Sequence, residues 1–383
     1  MSEDRALKAI YHEEPDKVPI FEPYGVMPPT SDVVLGRKCV AGSEIRAVDI
    51  FVKKGISMYR RVIRRDWFDL IRKLKFDGGP VTIGTHYRPD SPPKKINEFS
   101  WFVGDSLFRY DPRTGVTLEV DSSIKRGGIQ AFKEYIKALE EETDEEIDDA
   151  IVEFQLDVEM ARMLKKLGVL LFASAGTVPV GVSWFPLFLK SFYTHPNLVR
   201  RYLRQRTRRV IRLGRIAADL GVKLMFIGGD IAYNRGPMIS PSQYREFILP
   251  EIKAQTGALH RYGIFAFNSS DGNLWPIIHD YLISSGVDGM MEIQTTAGMD
   301  LKRLKEDFGD EICFVGSVDC QFTLVYGTIS QVEEETRNVI RTLSPGGGHI
   351  LSSSNSIHSG VKPENFFAML RTARKFGKYN KRV

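Results

Sequence analysis

Hydrophobic positions in the second half of the chain follow a regular alternation. Short apolar, β-branched runs are separated by segments of helical periodicity, each roughly 12–18 residues long, which is the signature of βα units feeding a parallel sheet. Val222–Gly228, Ile264–Phe267, Val287–Ile293, Cys313–Val318 and Ile350–Ser352 read as strands. The helices between them carry start signals. Ser240-Pro241 supplies a capping hydroxyl followed by a residue with no N–H to lose, and Pro363-Glu364 opens the last helix. Leu274–Ser285, Asp300–Phe308 and Ser330–Leu343 complete the set, and Val18–Phe21 and Val169–Ser174 fit two earlier strands. Between Phe51 and Arg126 turn residues dilute the pattern; Val81-Thr82-Ile83-Gly84 reads as the remaining strand and Trp101–Val120 as an inserted hairpin. The expected architecture is α/β: a single (β/α)8 TIM barrel over residues 1–383, with N-terminal elaborations including the hairpin insertion. Residues 1–160 hold the elaboration and first strands, and 161–383 the regular βα units.

Composition narrows the class. With 383 residues, 43% hydrophobic and 26% charged, the chain can bury a full core and is neither disordered nor disulfide-stapled. Three cysteines (Cys39, Cys313, Cys320) form no framework, so a reducing cytoplasm is expected. The opening MSEDRALKAIYHEEPDK has no apolar signal core. No apolar run approaches the ~18 residues of a membrane span. The net charge of +5 is scattered, with no zinc-finger spacing or RNA-binding aromatic motif, so no nucleic-acid partner is expected. The densest basic cluster, from Arg200 to Arg212, sits in a helical pattern and reads as a solvated face, with docking of an acidic partner or anionic ligand as the other reading. Gly346-Gly347-Gly348 precedes a strand and lacks a following lysine, so it reads as a turn.

Active sites in such barrels lie at the C-terminal strand ends. Those positions hold Glu22 and Tyr24; Trp184; Asp230 and Tyr233; Asn268 and Asp271; Glu292 and Gln294; Asp319 and Cys320; Asn355 and His358. Any one could be a cap or turn former. Five consecutive strands each delivering an acid or amide exceed what capping requires. Crowded carboxylates raise one another's pKa, and they can hold either a proton near neutral pH or a cation. Asp271, Glu292 and Asp230 are the candidates for proton donor or metal ligands. Glu22, Tyr24, Trp184, Tyr233, Asn268, Gln294, Asp319 and Asn355 are the candidates for substrate binding. Glu292, Cys320 and His358 follow three successive strands and form a second candidate metal set, with zinc the metal that suits them.

Several of these segments resemble the uroporphyrinogen decarboxylase superfamily: RALKAIYHEEPDKVPIFEPYG at the start, GGDIAYNRGPMISPSQYREFILP, SSDGN, SGVDGMMEIQTTAGMDLKRLKEDFGD, FVGSVD and SPGGGHILSSSNSIHSGVKPENFFAML. The resemblance implies a (β/α)8 barrel and one of two chemistries. The decarboxylase branch carries an arginine-rich N-terminal segment for substrate carboxylates; here Phe21–Met27 has no arginine, although Arg60, Arg61, Arg64 and Arg65 could supply cations from nearby. The thiol-activating methyltransferases carry a zinc site of His-x-Cys form, where this chain has Ser269-Ser270-Asp271. The Asp-Gly-Asn form resembles a branch associated with O-demethylation. It implies a cytoplasmic methyltransferase of anaerobic one-carbon metabolism. The methyl group would move between a small methoxylated, aromatic substrate and the cobalamin of a partner corrinoid protein, with zinc as an optional metal. The superfamily's frequent dimerisation makes a homodimer compatible with this reading. A cofactor-free decarboxylase and a non-enzymatic ligand-binding barrel are the alternatives.

Overall fold

The structure is a computed structural model that describes residues 1–82, 91–112 and 115–379. Its centre is a parallel sheet in chain order: Gly78–Pro80, Leu170–Ser174, Leu224–Gly228, Phe265–Ser269, Gly289–Met291, Cys313–Val315 and His349–Ile350. These are the second to eighth barrel strands. Residues 18–21 take the first position and join the two sheet edges. Leu351 N donates to Pro19 O at 2.9 Å and Asp77 N donates to Ile20 O at 2.8 Å. The Asp77 carboxylate also accepts from Ile20 N at 3.0 Å and from Arg5 Nη1 at 2.6 Å. The barrel expected from the alternating pattern is therefore present, with its closure carried by a segment that pairs only through isolated bridges.

Phenylalanines fill the interior. Phe21 stacks on Phe172 at 5.3 Å between centroids, Phe172 meets Phe226 edge-on at 5.5 Å, and Phe226 meets Phe267 at 6.1 Å. Room for this chain of rings comes from glycine. A Cβ on Gly289 would sit 2.4 Å from the Phe267 ring, and one on Gly78 would sit 2.8 Å from Phe21.

Three expectations need correction. The second strand forms at Gly78–Pro80, earlier than Val81-Thr82-Ile83-Gly84, of which Ile83 and Gly84 lie outside the described residues, as does His86. The inserted hairpin is larger than expected: Lys94–Asn97, Ser100–Val103, Ser106–Asp111 and Val116–Asp121 form a four-stranded antiparallel sheet. It packs fully buried Trp101 against Val48, Phe51, Tyr59 and Ile63 of a long helix, Glu44–Leu74, which kinks where Gly55 adopts φ +76°. Lastly, the arginine-rich helix Pro196–Asp219 is not a free basic face. Arg201 pairs bidentately with Glu140 at 2.8 and 2.6 Å, and Arg208 bonds Asp144. Arg209 bonds Glu142, and Arg212 and Arg215 share Asp148. The acidic run at 140–148 is the counter-charge to this helix, so neither segment is an unpaired patch. Among the described residues no helix is long and apolar enough to cross a membrane.

Candidate active site

Strand alternation decides which strand-end residues face the mouth. On the fifth strand Phe267 points inward, so Ser269 does too, and Asn268 points outward to the helix layer, where its Nδ2 donates to Tyr281 O at 2.7 Å. Ser269 Oγ instead meets Tyr24 Oη at 2.7 Å and donates to Glu292. Asn268, expected at the substrate, is turned away from the mouth, and Ser269 takes its place. The same parity would turn Glu292 outward after Met291. Its backbone breaks the alternation with φ +65°, a left-handed conformation disfavoured for a glutamate by roughly 1 kcal/mol or more. That strain brings the carboxylate to Ser269.

Asp230, Asp271 and Glu292, from the ends of the fourth, fifth and sixth strands, converge. One carboxylate oxygen of each lies within 4.8 Å of the other two. Asn355, from the eighth strand's loop, spans two of them: its Nδ2 donates to Asp271 Oδ2 at 2.8 Å and to Glu292 Oε1 at 2.9 Å. Asp271 N donates to Asp230 Oδ1 at 3.1 Å. The loop is held by Gly272, whose N donates to Gln294 Oε1 at 3.0 Å. The Gln294 amide is tied in turn to Asn234 and Gln321 at 3.2 and 3.1 Å. At Gly272 a side chain is excluded: φ is +94° and a Cβ would lie 2.6 Å from Tyr233 N.

No lysine or arginine among the described residues pairs with any of the three acids. Their charged forms are therefore suppressed. Burial raises Asp271 to about 7, with the Asp230 charge adding to the effect and the Asn355 bond opposing it. Burial, then the charges of Asp271 and Asp230, raise Glu292 well above the usual range. Burial raises Asp230 as well. Such a cluster holds a proton at neutral pH, and its all-oxygen donor set also suits a hard divalent cation.

Beside it, Glu22 is fully enclosed. It accepts from Ser353 Oγ at 2.7 Å and Ser353 N at 3.1 Å, and burial lifts its carboxyl to about 8 against the effect of those bonds. Tyr24 and Tyr233 stand at the rim, Tyr233 half exposed on the short pairing of Ala232–Tyr233 with Gly236–Pro237.

Other expected residues are committed elsewhere. Asp319 caps the turn after the seventh strand, accepting from Gln321, Phe322 and Thr323 N at 2.8–3.0 Å. Trp184 packs with Phe132 at 5.2 Å and Tyr202 at 5.7 Å, inside the core. Glu292, Cys320 and His358 do not assemble as a metal set. His358 Nδ1 accepts from Gly360 N at 3.1 Å, so Nε2 carries the proton it donates to Cys320 O at 2.8 Å, and no ring lone pair remains. Cys320 Sγ accepts from Ser354 Oγ, and burial pushes the thiol up to about 12. Among the described residues the cation-capable set is Asp230, Asp271 and Glu292.

Comparison with known proteins places this site in a family. The family model for uroporphyrinogen decarboxylase (URO-D) matches residues 160–376. The uroporphyrinogen decarboxylase of Thioalkalivibrio sulfidiphilus is 24% identical over 151 residues, covering 37% of this chain and 40% of that protein. That of Chlorobium luteolum is 28% identical over 134 residues, covering 33% and 36%. The match thus spans well under half the length of these two curated relatives. Among solved structures, a methyltransferase from Methanosarcina mazei superposes with a TM-score of 0.61 over 97% of this chain and 98% of its own, at 17% identity.

Proposed function

The chain belongs to the uroporphyrinogen decarboxylase family, and from that membership we propose that it is a methyltransferase of the family. It moves the methyl group of a small methoxylated, aromatic substrate to the Co(I) of a partner corrinoid protein. The observation that carries this reading is the trio of Asp230, Asp271 and Glu292, crowded, buried and without a cationic partner among the described residues.

The chemical need matches the trio. Co(I) supplies the nucleophile. The substrate's C–O bond breaks, the methyl carbon leaves with no electrons of that bond, and the oxygen leaves as an alkoxide or phenoxide that must gain a proton. Asp271 holds a proton near neutral pH and can give it to that oxygen. The Asp230 charge favours the protonated form of Asp271, and burial keeps a proton on Glu292. Asn355 holds Asp271 and Glu292 in a fixed relation, and Ser269 with Tyr24 steadies the other side of Glu292. A divalent cation held by the same carboxylates would supply Lewis acidity toward the leaving oxygen.

The decarboxylase reading has the names of the curated relatives in its favour. Against it stands electrostatics. A substrate bearing several carboxylates would meet a mouth of three acids. The candidate arginines are engaged elsewhere: Arg60 bonds Glu153 O, Arg64 pairs with Asp157 and Glu159, and Arg65 with Asp66. No bond of Arg61 reaches the cluster.

The test is anaerobic. Purified protein is mixed with cob(I)alamin or a reduced corrinoid protein and a panel of methoxylated aromatics, and the Co(I) absorption band is followed. The band should disappear with at least one donor. Asp271→Asn and Glu292→Gln should slow its loss by on the order of 100-fold. The rate should fall as pH rises through about 7, where Asp271 loses its proton. Carboxylate release from uroporphyrinogen, with no methyl transfer from any donor, would replace this reading by the decarboxylase.

A further inference from the structure

One buried amide joins the loops that follow four successive barrel strands. Gln294, after the sixth strand, is 5% exposed. Its orientation is fixed, because Gly272 N can only donate and so must face Oε1, at 3.0 Å. Nε2 therefore turns the other way. It donates toward Asn234 Oδ1, after the fourth strand, at 3.2 Å, toward Gln321 Oε1, after the seventh, at 3.1 Å, and toward Thr296 Oγ1 at 3.2 Å. Two hydrogens serve these three acceptors, and Thr296 Oγ1 donates its own to Gln321 Oε1 at 2.9 Å. Neither hydrogen of Gln294 is left for a substrate, the role that its place at a strand end suggests.

What this amide holds is the backbone around Asp271. Asp271 N donates to Asp230 Oδ1 and Gly272 N to Gln294, so consecutive peptide groups are fixed from the fourth and the sixth strands. The next, Asn273 N, donates to Tyr233 O at 3.0 Å, under the pairing of Ala232–Tyr233 with Gly236–Pro237. Asn234 lies in the turn of that pairing, so Gln294 ties the turn and the Asp271 loop to one point. A buried N–H left without an acceptor costs more than the bond itself contributes, so the loop must rearrange when Oε1 is removed. The Asp271 carboxylate is thus placed from two ends, by Asn355 on its oxygen and by Gln294 through the peptide that follows it.

We propose that Gln294 is a positioning residue for Asp271, and that Gln321, which is exposed and bonds none of the three acids, acts on Asp271 through it. That this bears on catalysis rests on the proposed methyl transfer; that the amide fixes the Asp271 loop does not.

Amide hydrogen exchange of the full chain tests it, read at Gly272 by mass spectrometry with electron-transfer fragmentation. Gln294→Ala should speed exchange at Gly272 by at least about fivefold, the factor for one lost neutral hydrogen bond, and leave Leu224–Gly228 and Cys313–Val315 unchanged. Gln321→Ala should speed it by about twofold, and should add nothing in the Gln294→Ala background. Gln294→Glu keeps an acceptor for Gly272 N, and the amides of Asn234 and Gln321 can turn their hydrogens toward it, so it should restore protection. Unchanged exchange at Gly272 in Gln294→Ala, an effect of Gln321→Ala undiminished in that background, or equal acceleration in every strand overturns the proposal. Should Gln294→Ala not fold, Gln321→Ala decides alone, and unchanged exchange at Gly272 overturns it. In the methyl-transfer assay Gln294→Ala should lower kcat by about 10- to 100-fold at unchanged KM for the donor. A raised KM at unchanged kcat would make Gln294 a substrate contact and overturn it as well. Exchange as expected in a protein that transfers no methyl group would leave the positioning standing and remove the reading of function above.

Discussion

Glu22 is a carboxyl group with no cation among the described residues to offset its burial. Two bonds from Ser353 are too few to keep it ionised, and its proton is retained up to about 8. An unfolded glutamate releases its proton near 4.5. The folded state binds the proton more tightly, so the protonated carboxyl's contribution to stability is complete below that value and is lost as pH rises toward 8. Glu22→Gln, which never ionises, should remove this part of the pH dependence. Relative to wild type the variant should gain stability steadily between about pH 5 and 8, by at most about 1.4 kcal/mol per pH unit. Denaturant unfolding of both proteins at pH 5.5 and 8 measures it, and parallel losses would mean that Glu22 does not hold the proton. At this scale the sequence was informative about residue type and blind to direction. Asp230, Asp271 and Glu292 could be picked out because acids at successive strand ends exceed the needs of capping. The φ of +65° that turns Glu292 into the site left no mark in the local sequence.

Among the elements, legibility followed periodicity. The strands from Leu224 onward are flanked by well-signalled helices and stand close to where the apolar runs placed them. Period-two alternation, applied strictly, would also have exchanged Asn268 for Ser269, since Phe267 is the inward residue of that strand. The Glu44–Leu74 helix was not legible, because Gly55 interrupts it and its apolar face is shared between the barrel and the antiparallel sheet. The charge balance of the helix Pro196–Asp219 was not legible for another reason: it is set by a segment that precedes it by about 60 residues. That pairing can be tested. Asp148 accepts from both Arg212 and Arg215, and its pKa is lowered first of all by the Arg212 bond. Asp148→Ala leaves two guanidiniums side by side on the helix. It should cost about 1–2 kcal/mol in low salt and less at 1 M salt, where like-charge repulsion and ion pairing are both screened. Denaturation midpoints at the two salt concentrations decide it; an unchanged difference would make the effect one of packing.

For the molecule as a whole, the site depends on the barrel being closed. Glu22 and Tyr24 reach the acid cluster's surroundings because residues 18–21 are fixed between the eighth strand and Asp77. This seam has few backbone bonds, and one side chain does much of the joining. The Asp77 carboxylate accepts from Ser2 N at 2.9 Å, Arg5 Nη1 at 2.6 Å and Ile20 N at 3.0 Å, tying the N-terminal helix and the first strand to the start of the second. Asp77→Ala strands Arg5, whose side chain is 11% exposed, and a buried N–H. Breaking a buried charge pair costs roughly 3–5 kcal/mol, and the Arg5 bond to Asp16 at 2.6 Å offsets part of it. The loss should be local before it is global, because the fourth to seventh strands keep all their neighbours. Hydrogen exchange should therefore accelerate over residues 18–21 and in the Glu3–Ile10 helix, with Leu224–Gly228 and Phe265–Ser269 little changed. If Ser269 and Glu292 depend on the closed seam for their link to Tyr24, the same variant should lose the proposed methyl transfer at temperatures where the far strands are still protected. Uniform acceleration across all strands would mean that the barrel opens as one cooperative unit and that Asp77 is only one contributor among many.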